Sequence, residues 1–369
     1  MREKLAGMVL GAVLLTGLAG SAQAAAVAAA PVTEADGPRM VSAEPVTEKS
    51  GRAPAAPTLQ KPKALKPGDC IGILGPATLA GDTDFSKAVE LLHKLGYRTK
   101  MAPSATATWG YFAGTDSQRA ADINHFFADD SVQAILCLRG GYGASRVLDR
   151  LDYAEIAKHP KLFIGYSDIT ALHAALTQKS HIVTIHGPML TSFKAEYSDY
   201  TVQNFAKGLT NTQAPGPVPM PAGQSMQTVV PGKAEGTLIG GNLTIINSLV
   251  GTPSAIDGRG KLLFIEEVGD APYRIDRALQ QLWQSGLLQQ VNGIVYSEFH
   301  DCTDDVAPGD FTLDEILAYY GRLAGVPVMK GLPVGHAPDN YFLPLGTHAV
   351  MNAGKDGNAE LILDEAYAK

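Results

Sequence analysis

From Pro67 onward, short apolar runs alternate with segments whose apolar residues recur every three or four positions. "KPGDCIGILGPA" reads as a turn and then a short buried strand ending at Gly75-Pro76. "DFSKAVELLHKLGYRT" carries helical spacing and a Gly96 stop. "SQRAADINHFFAD" predicts a second helix, "VQAILCLRGG" a strand, "YGASRVLDRLD" a third helix, "LFIGYS" a strand and "DITALHAALTQ" a helix. Strands alternating with amphipathic helices predict a parallel sheet in an α/β domain over 67–209. From Thr210 to Gly232 the pattern gives way to Pro, Gly, Gln and Met, which reads as a linker. A second, smaller α/β domain is expected over 233–369, built on "GTLIGGNLTIINSLVGTP", "KLLFIEEV", "RIDRALQQLWQSGLL", "VNGIVYSEF", "TLDEILAYYGRLAG" and "VPVMKGLPVGH". Its tail, "HAVMNA" and "AELILDE", alternates like half-exposed strands.

The 66 residues before this pattern are of another kind. Met1–Lys4 is a short basic start, "LAGMVLGAVLLTGLAG" an apolar core, and "SAQA" an Ala-x-Ala cleavage pattern ending at Ala24. Residues 1–24 therefore read as a secretory signal, placing the mature protein in the periplasm or outside the cell. The apolar core is about 16 residues, short of the roughly 20 that span a bilayer, so no stable membrane span is expected. Residues 25–66, rich in Ala, Pro, Thr and Lys without apolar periodicity, read as a disordered spacer.

Composition narrows the function. A net charge of −7 argues against a nucleic-acid partner, which calls for a basic face. Cys70, Cys137 and Cys302 form no spaced metal motif and no disulfide scaffold; Cys70 and Cys137 lie in apolar runs as buried thiols. "YSEFHDCTDD" invites a metal through Glu298, His300 and Asp301, but the ligands lack a recognisable spacing, and neither metal nor cofactor is expected.

Ligands bind at strand ends in open parallel sheets. The polar strand exits here are Gly75-Pro76, "RGGYG" at 139–143, "GYSD" at 165–168 and "HGP" at 186–188, with Glu266-Glu267 and "PVGH" at His336 in the second half. Ser167-Asp168 has two readings. Either residue could cap the following helix, or Ser167 could sit on a nucleophile elbow, a tight strand-to-helix turn that holds its hydroxyl above the sheet. "RGGYG" lacks the glycine spacing and lysine of a phosphate loop, and is read as a tight turn or as a set of oxyanion donors.

These elements occur together in one family. The chain resembles the LD-carboxypeptidases, serine peptidases that trim peptidoglycan tetrapeptides and include the microcin C self-immunity peptidases. The resemblance covers nearly all of 67–350 and rests on "GYFAGTDSQRAADIN", "ILCLRGGYGASRVLDRLDY", "IGYSDITALHAAL", "GTLIGGNLTIINSLVGTP", "LLFIEEVGDAPYRIDRALQQL" and "LPVGHAPDNYFLPLG". It implies a Ser–His–Glu triad of Ser167, His336 and Glu266, with Glu267 standing where the family motif more often has Asp. It also implies a homodimer.

With the resemblance the elbow is the stronger reading, one that also caps its helix. Serine needs a base to take its proton, and the base needs a third group to orient it. Because Ser167 and His336 fall in different expected domains, the site is expected in the cleft between them. The oxyanion would meet the N–H of Asp168 and one from Gly140 or Gly141. Candidate donors for the substrate's terminal carboxylate are backbone N–H groups of the Gly75 and "RGGYG" turns and the guanidinium of Arg139, which reads equally well as a structural residue paired inside the protein. The expectation is an exported carboxypeptidase acting on muropeptides. A two-domain periplasmic peptide-binding protein, which would need no Ser, His and Glu at three strand ends, is the rival from another class.

Overall fold

A computed structural model describes residues 59–193, 198–303, 307 and 309–369. The leader expected over 1–24 and most of the spacer expected over 25–66 lie outside the described residues.

Residues from Pro57 to Lys369 form one compact unit containing two sheets. In the first sheet, β1 (Cys70–Leu74), β2 (Arg98–Met101), β3 (Ala134–Cys137), β4 (Leu162–Gly165) and β5 (Thr184–His186) run parallel in the order β2-β1-β3-β4-β5. β1, β3 and β4 are buried at every residue, as parallel strands covered on both faces must be. Phe126, Phe127 and Leu172 pack on one face with Ile135 and Phe163, while Leu92, Leu190 and Phe205 cover Ile73, Leu136 and Ile164 on the other.

The second sheet contains β6 (Gly216–Pro217), β7 (Gln227–Val230), β8 (Gly232–Asn242), β9 (Lys261–Val268), β10 (Gly293–His300), β11 (Val328–Lys330), and, beyond β12 (Leu343–Leu345), β13 (His348–Ala353) and β14 (Ala359–Leu363). Its order is β6-β14-β13-β8-β9-β10-β11-β7. β8 to β11 are parallel and the flanking strands antiparallel. The helix Pro272–Gln284 buries Ile275, Leu279 and Leu282 against Leu263, Ile265 and Ile294.

Three boundaries differ from the sequence reading. Order begins before Pro67: Leu65 is buried, its N–H donates to the Leu209 carbonyl, and Ala64 N–H donates to that of Lys369. Too few apolar residues precede Pro67 to show a period, so tertiary contacts decide. The segment read as a linker supplies the edge strands β6 and β7, and proline is tolerated at such edges because one side needs no ladder donor. The second sheet, expected in the smaller domain, thereby carries eight strands to the first sheet's six. Finally, "YGASRVLDRLD" is a tight 3₁₀ turn over Ala144–Arg150, followed by a separate helix Tyr153–Lys158 that Asp152 caps.

β12 matters most for the site. The chain leaves the second sheet after β11, passes His336, and pairs β12 antiparallel with β5 of the first sheet, setting Leu343 opposite His186. β5 in turn lies beside β4, where Gly165 faces His186. One short strand therefore brings the His336 loop to the edge from which Ser167 emerges.

Candidate active site

β4 ends at Gly165, and the backbone turns within two residues into the 3₁₀ turn Ser167–Ile169 and the helix Thr170–Ala175. Ser167 stands at φ 64°, one of three described non-glycine residues with positive φ. That region costs an L-residue about 1–2 kcal/mol. Strain of this kind on a serine between strand and helix is the signature of an elbow. The capping reading does not hold, because no side chain caps either the 3₁₀ turn or the helix. Ser167 Oγ makes no hydrogen bond to any described residue. Contacts to a catalytic base commonly tighten only when substrate is bound.

Asp168 does something other than capping. Its buried carboxylate accepts the Ala144 N–H at 2.8 Å, fastening the elbow to the end of the "RGGYG" loop. Burial raises its pKa to about 6, against the Ala144 N–H and the Arg119 charge. Gly140 completes the join. A β-carbon there would lie 3.0 Å from Ser167 Cβ, 3.2 Å from Ser167 Oγ and 3.3 Å from Asp168 N, so any side chain would crowd the elbow and glycine lets the loop rest on it. Gly140 and Asp168, two of the expected oxyanion donors, are thus brought together at Ser167. Gly141 instead stands against Thr78, whose hydroxyl accepts the Tyr142 N–H at 2.9 Å.

Arg119, which sequence reasoning left inside a motif without a role, organises these loops. Fully buried, it donates to the carbonyls of Pro76, Gly114 and Gly143 and pairs with Asp116. A lone arginine in an amphipathic helix gives no sign of this in the sequence.

The expected carboxylate site changes in part. The Gly75 N–H already donates to Ser104 Oγ at 3.1 Å in a buried position, so it is not free to bind substrate. Arg139 is half-buried, makes one long hydrogen bond of 3.3 Å to the Leu79 carbonyl, and has no carboxylate within ion-pair distance among the described residues.

From the second sheet, β9 presents Glu266 and Glu267 to opposite faces, as neighbours on a strand must. Glu266 is fully buried, and its Oε2 lies 2.7 Å from His336 Nδ1. Gly335 has φ 144°, and a β-carbon there would come within 3.2 Å of that same Oε2, so the glycine admits the loop onto the carboxylate. His336 also sets its ring edge-on to Tyr166 with centroids 4.9 Å apart, beside Ser167. Burial works against both charges and is outweighed: the neighbouring His186 and then His336 hold Glu266 below the ordinary carboxylate range, and the Glu266 hydrogen bond and charge hold His336 above 6.5. Glu267 is spent elsewhere, accepting from Asn242 Nδ2, Thr244 N and Val268 N.

A second histidine lies behind the pair. His186, at the end of β5, is fully buried with Nε2 3.8 Å from the other Glu266 oxygen. Among the described residues no group of three His, Cys, Asp or Glu side chains converges to hold a metal ion, the Glu298–His300–Asp301 stretch included. No described helix is long and apolar enough to cross a membrane. The three cysteines are free and buried.

Ser167, Asp168, Gly140, His336 and Glu266 thus gather where the two sheets meet. A hydroxyl on a strained turn beside Gly140 and Asp168 N follows Tyr166, whose ring meets an imidazole held by a buried carboxylate; these are the groups that acyl transfer calls for.

Known proteins share this plan. Residues 71–187 match the LD-carboxypeptidase N-terminal domain and 235–351 its C-terminal domain. A probable murein peptide carboxypeptidase of Bacillus subtilis is 39% identical over 305 residues, 80% of this chain and 92% of that protein. The microcin C7 self-immunity protein MccF of Escherichia coli is 29% identical over 344 residues, covering 84% and 97%. The crystal structure of a muramoyltetrapeptide carboxypeptidase from Oxalobacter formigenes superposes with a TM-score of 0.71 at 31% identity, covering 81% of this chain and all of that one. With both domain models matched in order and such relatives along most of its length, the chain belongs to the LD-carboxypeptidase family of serine carboxypeptidases.

Proposed function

We propose that this protein is an exported LD-carboxypeptidase that removes the terminal D-Ala of murein tetrapeptides from the L-centre of the third residue, leaving tripeptides. The observation that carries the reading is the buried Glu266–His336 hydrogen bond of 2.7 Å, set against the elbow that holds Ser167. In this mechanism His336 takes the Ser167 proton as Oγ attacks the scissile carbonyl. Glu266 orients the imidazole and balances the charge that forms on it. The oxyanion is met by the N–H groups of Asp168 and Gly140. His336 then returns the proton to the leaving D-Ala amine, and water hydrolyses the acyl-enzyme by the same steps in reverse order of roles.

The murein substrate is supported by the names of the relatives from Bacillus subtilis and Oxalobacter formigenes. Export is supported by the leader pattern of residues 1–24, which would expose the enzyme to wall fragments in the periplasm. A second reading, hydrolysis of a microcin-like peptide-nucleotide, draws on the Escherichia coli relative. An export leader favours the murein reading, because detoxifying an antibiotic in the cytosol needs no secretion. A peptide-binding protein would have no use for the Glu266–His336 pair. The homodimer implied by the family resemblance belongs to the same proposal and is tested by sedimentation of the mature chain.

The deciding experiment is incubation of the mature protein with purified disaccharide-tetrapeptide, followed by mass analysis. Loss of one alanine, giving the tripeptide, is expected. An unchanged muropeptide alongside cleavage of an aminoacyl-nucleotide would replace this reading with the second one.

A further inference from the structure

Glu266 has two oxygens, and the candidate triad uses one. Oε2 receives His336 at 2.7 Å. Oε1 is wholly buried and has no hydrogen-bond partner among the described residues. Leaving one oxygen of a buried carboxylate unserved costs about 1–3 kcal/mol, and more when the group is charged. It also leaves the carboxylate free to rotate about its last torsion, which is broad for glutamate.

A candidate donor is His186. Its Nε2 lies 3.8 Å from Oε1, and neither ring nitrogen has any other hydrogen-bond partner among the described residues. At that distance the pair is not yet hydrogen-bonded, but a small turn of the imidazole closes the gap. The ring is confined by apolar and aromatic neighbours. It stands edge-on to Phe264 at 4.8 Å and tilted against Tyr166 at 6.0 Å and His173 at 6.1 Å. The titratable groups around it are Glu266, His336, His173 and Tyr166. His173 already points its Nε2 at the Gly165 carbonyl. Glu266 Oε1 is therefore the acceptor in reach.

We propose that His186 is a positioning residue, whose Nε2–H serves Glu266 Oε1 and fixes the carboxylate so that Oε2 faces His336. Burial keeps the imidazole neutral, because desolvation outweighs the pull of Glu266 and lowers its pKa. A neutral histidine protonated on Nε2 supplies one donor there and adds no second buried cation to the pair. β5 brings the ring to this spot through its pairing with β4, which carries the elbow, and with β12, which follows the His336 loop. The same strand thus registers the elbow and the His336 loop, and His186 is its last residue.

The inference rests on the reading of Glu266 and His336 as catalytic partners. Its test compares His186→Met, which removes the donor at similar volume, with His186→Gln, whose amide can restore it. His186→Met is expected to lower kcat on the tetrapeptide about tenfold or more, the scale of a misplaced catalytic group, with KM unchanged. Its acid limb should also move to higher pH. Without the second donor, Glu266 concentrates its charge on Oε2 and holds the His336 proton more tightly. His186→Gln should recover most of the rate and the wild-type limb.

Nitrogen-15 histidine spectra of the resting wild-type enzyme should show His186 protonated on Nε2. This readout needs neither substrate nor variant, so it stands even where the tetrapeptide proves the wrong substrate or His186→Met fails to fold. A folded His186→Met with wild-type kcat and limb would overturn the proposal. So would Met and Gln variants equally slow with an unmoved limb, or a resting His186 protonated on Nδ1.

Discussion

Glu266 and Glu267 are consecutive on β9 and have unrelated partners. Glu266 Oε2 receives His336 Nδ1 at 2.7 Å, whereas Glu267 collects Asn242 Nδ2 at 2.9 Å and the N–H groups of Thr244 and Val268, each at 2.8 Å. The first arrangement suits the base of the proposed mechanism; the second ties β9 to the start of the helix Leu243–Leu249, close to where Asn242 N–H donates to Thr170 Oγ1 behind the elbow. Replacements should therefore separate rate from stability. Glu266→Gln is expected to cost at least about a hundredfold in kcat, given what a misoriented imidazole loses. Glu267→Gln should stay within about tenfold in rate while losing about 1–3 kcal/mol of stability from its charge-assisted bonds. Kinetics and chemical denaturation of both variants check the ranking, and the reverse order would exchange the two roles.

Ser167 makes a paired prediction because its hydroxyl and its backbone are separable. Ser167→Ala should abolish tripeptide formation, by roughly 10⁴–10⁶-fold, and keep the φ strain. Ser167→Gly should be equally inactive yet more stable than the alanine variant by about 1 kcal/mol, the cost of a left-handed conformation that glycine avoids. Activity of the alanine variant within tenfold of wild type would remove Ser167 from the mechanism. Equal stability of the two variants would remove the strain.

The pH profile follows from the Glu266–His336 bond. In the proposed mechanism His336 works as base only when neutral, and its carboxylate partner raises its pKa above 6.5. The acid limb of kcat/KM is therefore expected above pH 6.5, with activity falling as pH drops through it. In Glu266→Gln the residual activity should show this limb at lower pH, since the charge that raised it is gone. A limb that stays in place would mean that another group titrates.

Asp168 gives a stability profile of its own. Its folded pKa of about 6 lies above the ordinary value of 3.8. The folded state thus binds this proton more tightly than the unfolded chain, so its contribution is full below pH 3.8 and is lost as pH rises through about 6. Asp168→Asn keeps an oxygen for the Ala144 N–H and removes the titration. The difference in unfolding free energy between wild type and Asp168→Asn should shift toward the variant between those pH values. A flat difference would show that Asp168 titrates normally.

Much of this was legible in the chain because the strand exits of a parallel sheet collect function. Ser167, Glu266 and His336 each follow an apolar run, and burial on both faces makes such runs easy to see. What could not be read depends on pairings that leave no local trace. β12 is three residues long, yet it carries the His336 loop to the first sheet. Gly75 looked like an open turn until Ser104, brought over by the chain after β2, took its N–H. His186 was one polar residue at one more strand end. Its significance comes from Glu266, which lies on the other sheet.

The last prediction concerns how the enzyme senses the end of a peptide. A carboxypeptidase must recognise a free carboxylate, and a negative charge is costly to bury unless donors meet it. Arg139 begins the "RGGYG" loop whose next residue, Gly140, rests on Ser167, so its backbone is one residue from the contact with the proposed nucleophile. Its one hydrogen bond among the described residues is long, 3.3 Å to a carbonyl, and no described carboxylate lies within ion-pair distance. A charge-assisted hydrogen bond contributes roughly 1.5–3 kcal/mol, or about 10–150-fold in kcat/KM. Amidation of the substrate's terminal carboxylate should therefore slow the wild-type enzyme at least about tenfold. Arg139→Gln should slow cleavage of the free acid by a similar factor. The informative quantity is the coupling between the two changes. If Arg139 meets the carboxylate, amidation should cost the Arg139→Gln variant little more, because the interaction is already gone. Two full, independent losses would assign the carboxylate to other donors. Equal rates for acid and amide in the wild type would mean that the chain end is not sensed at all.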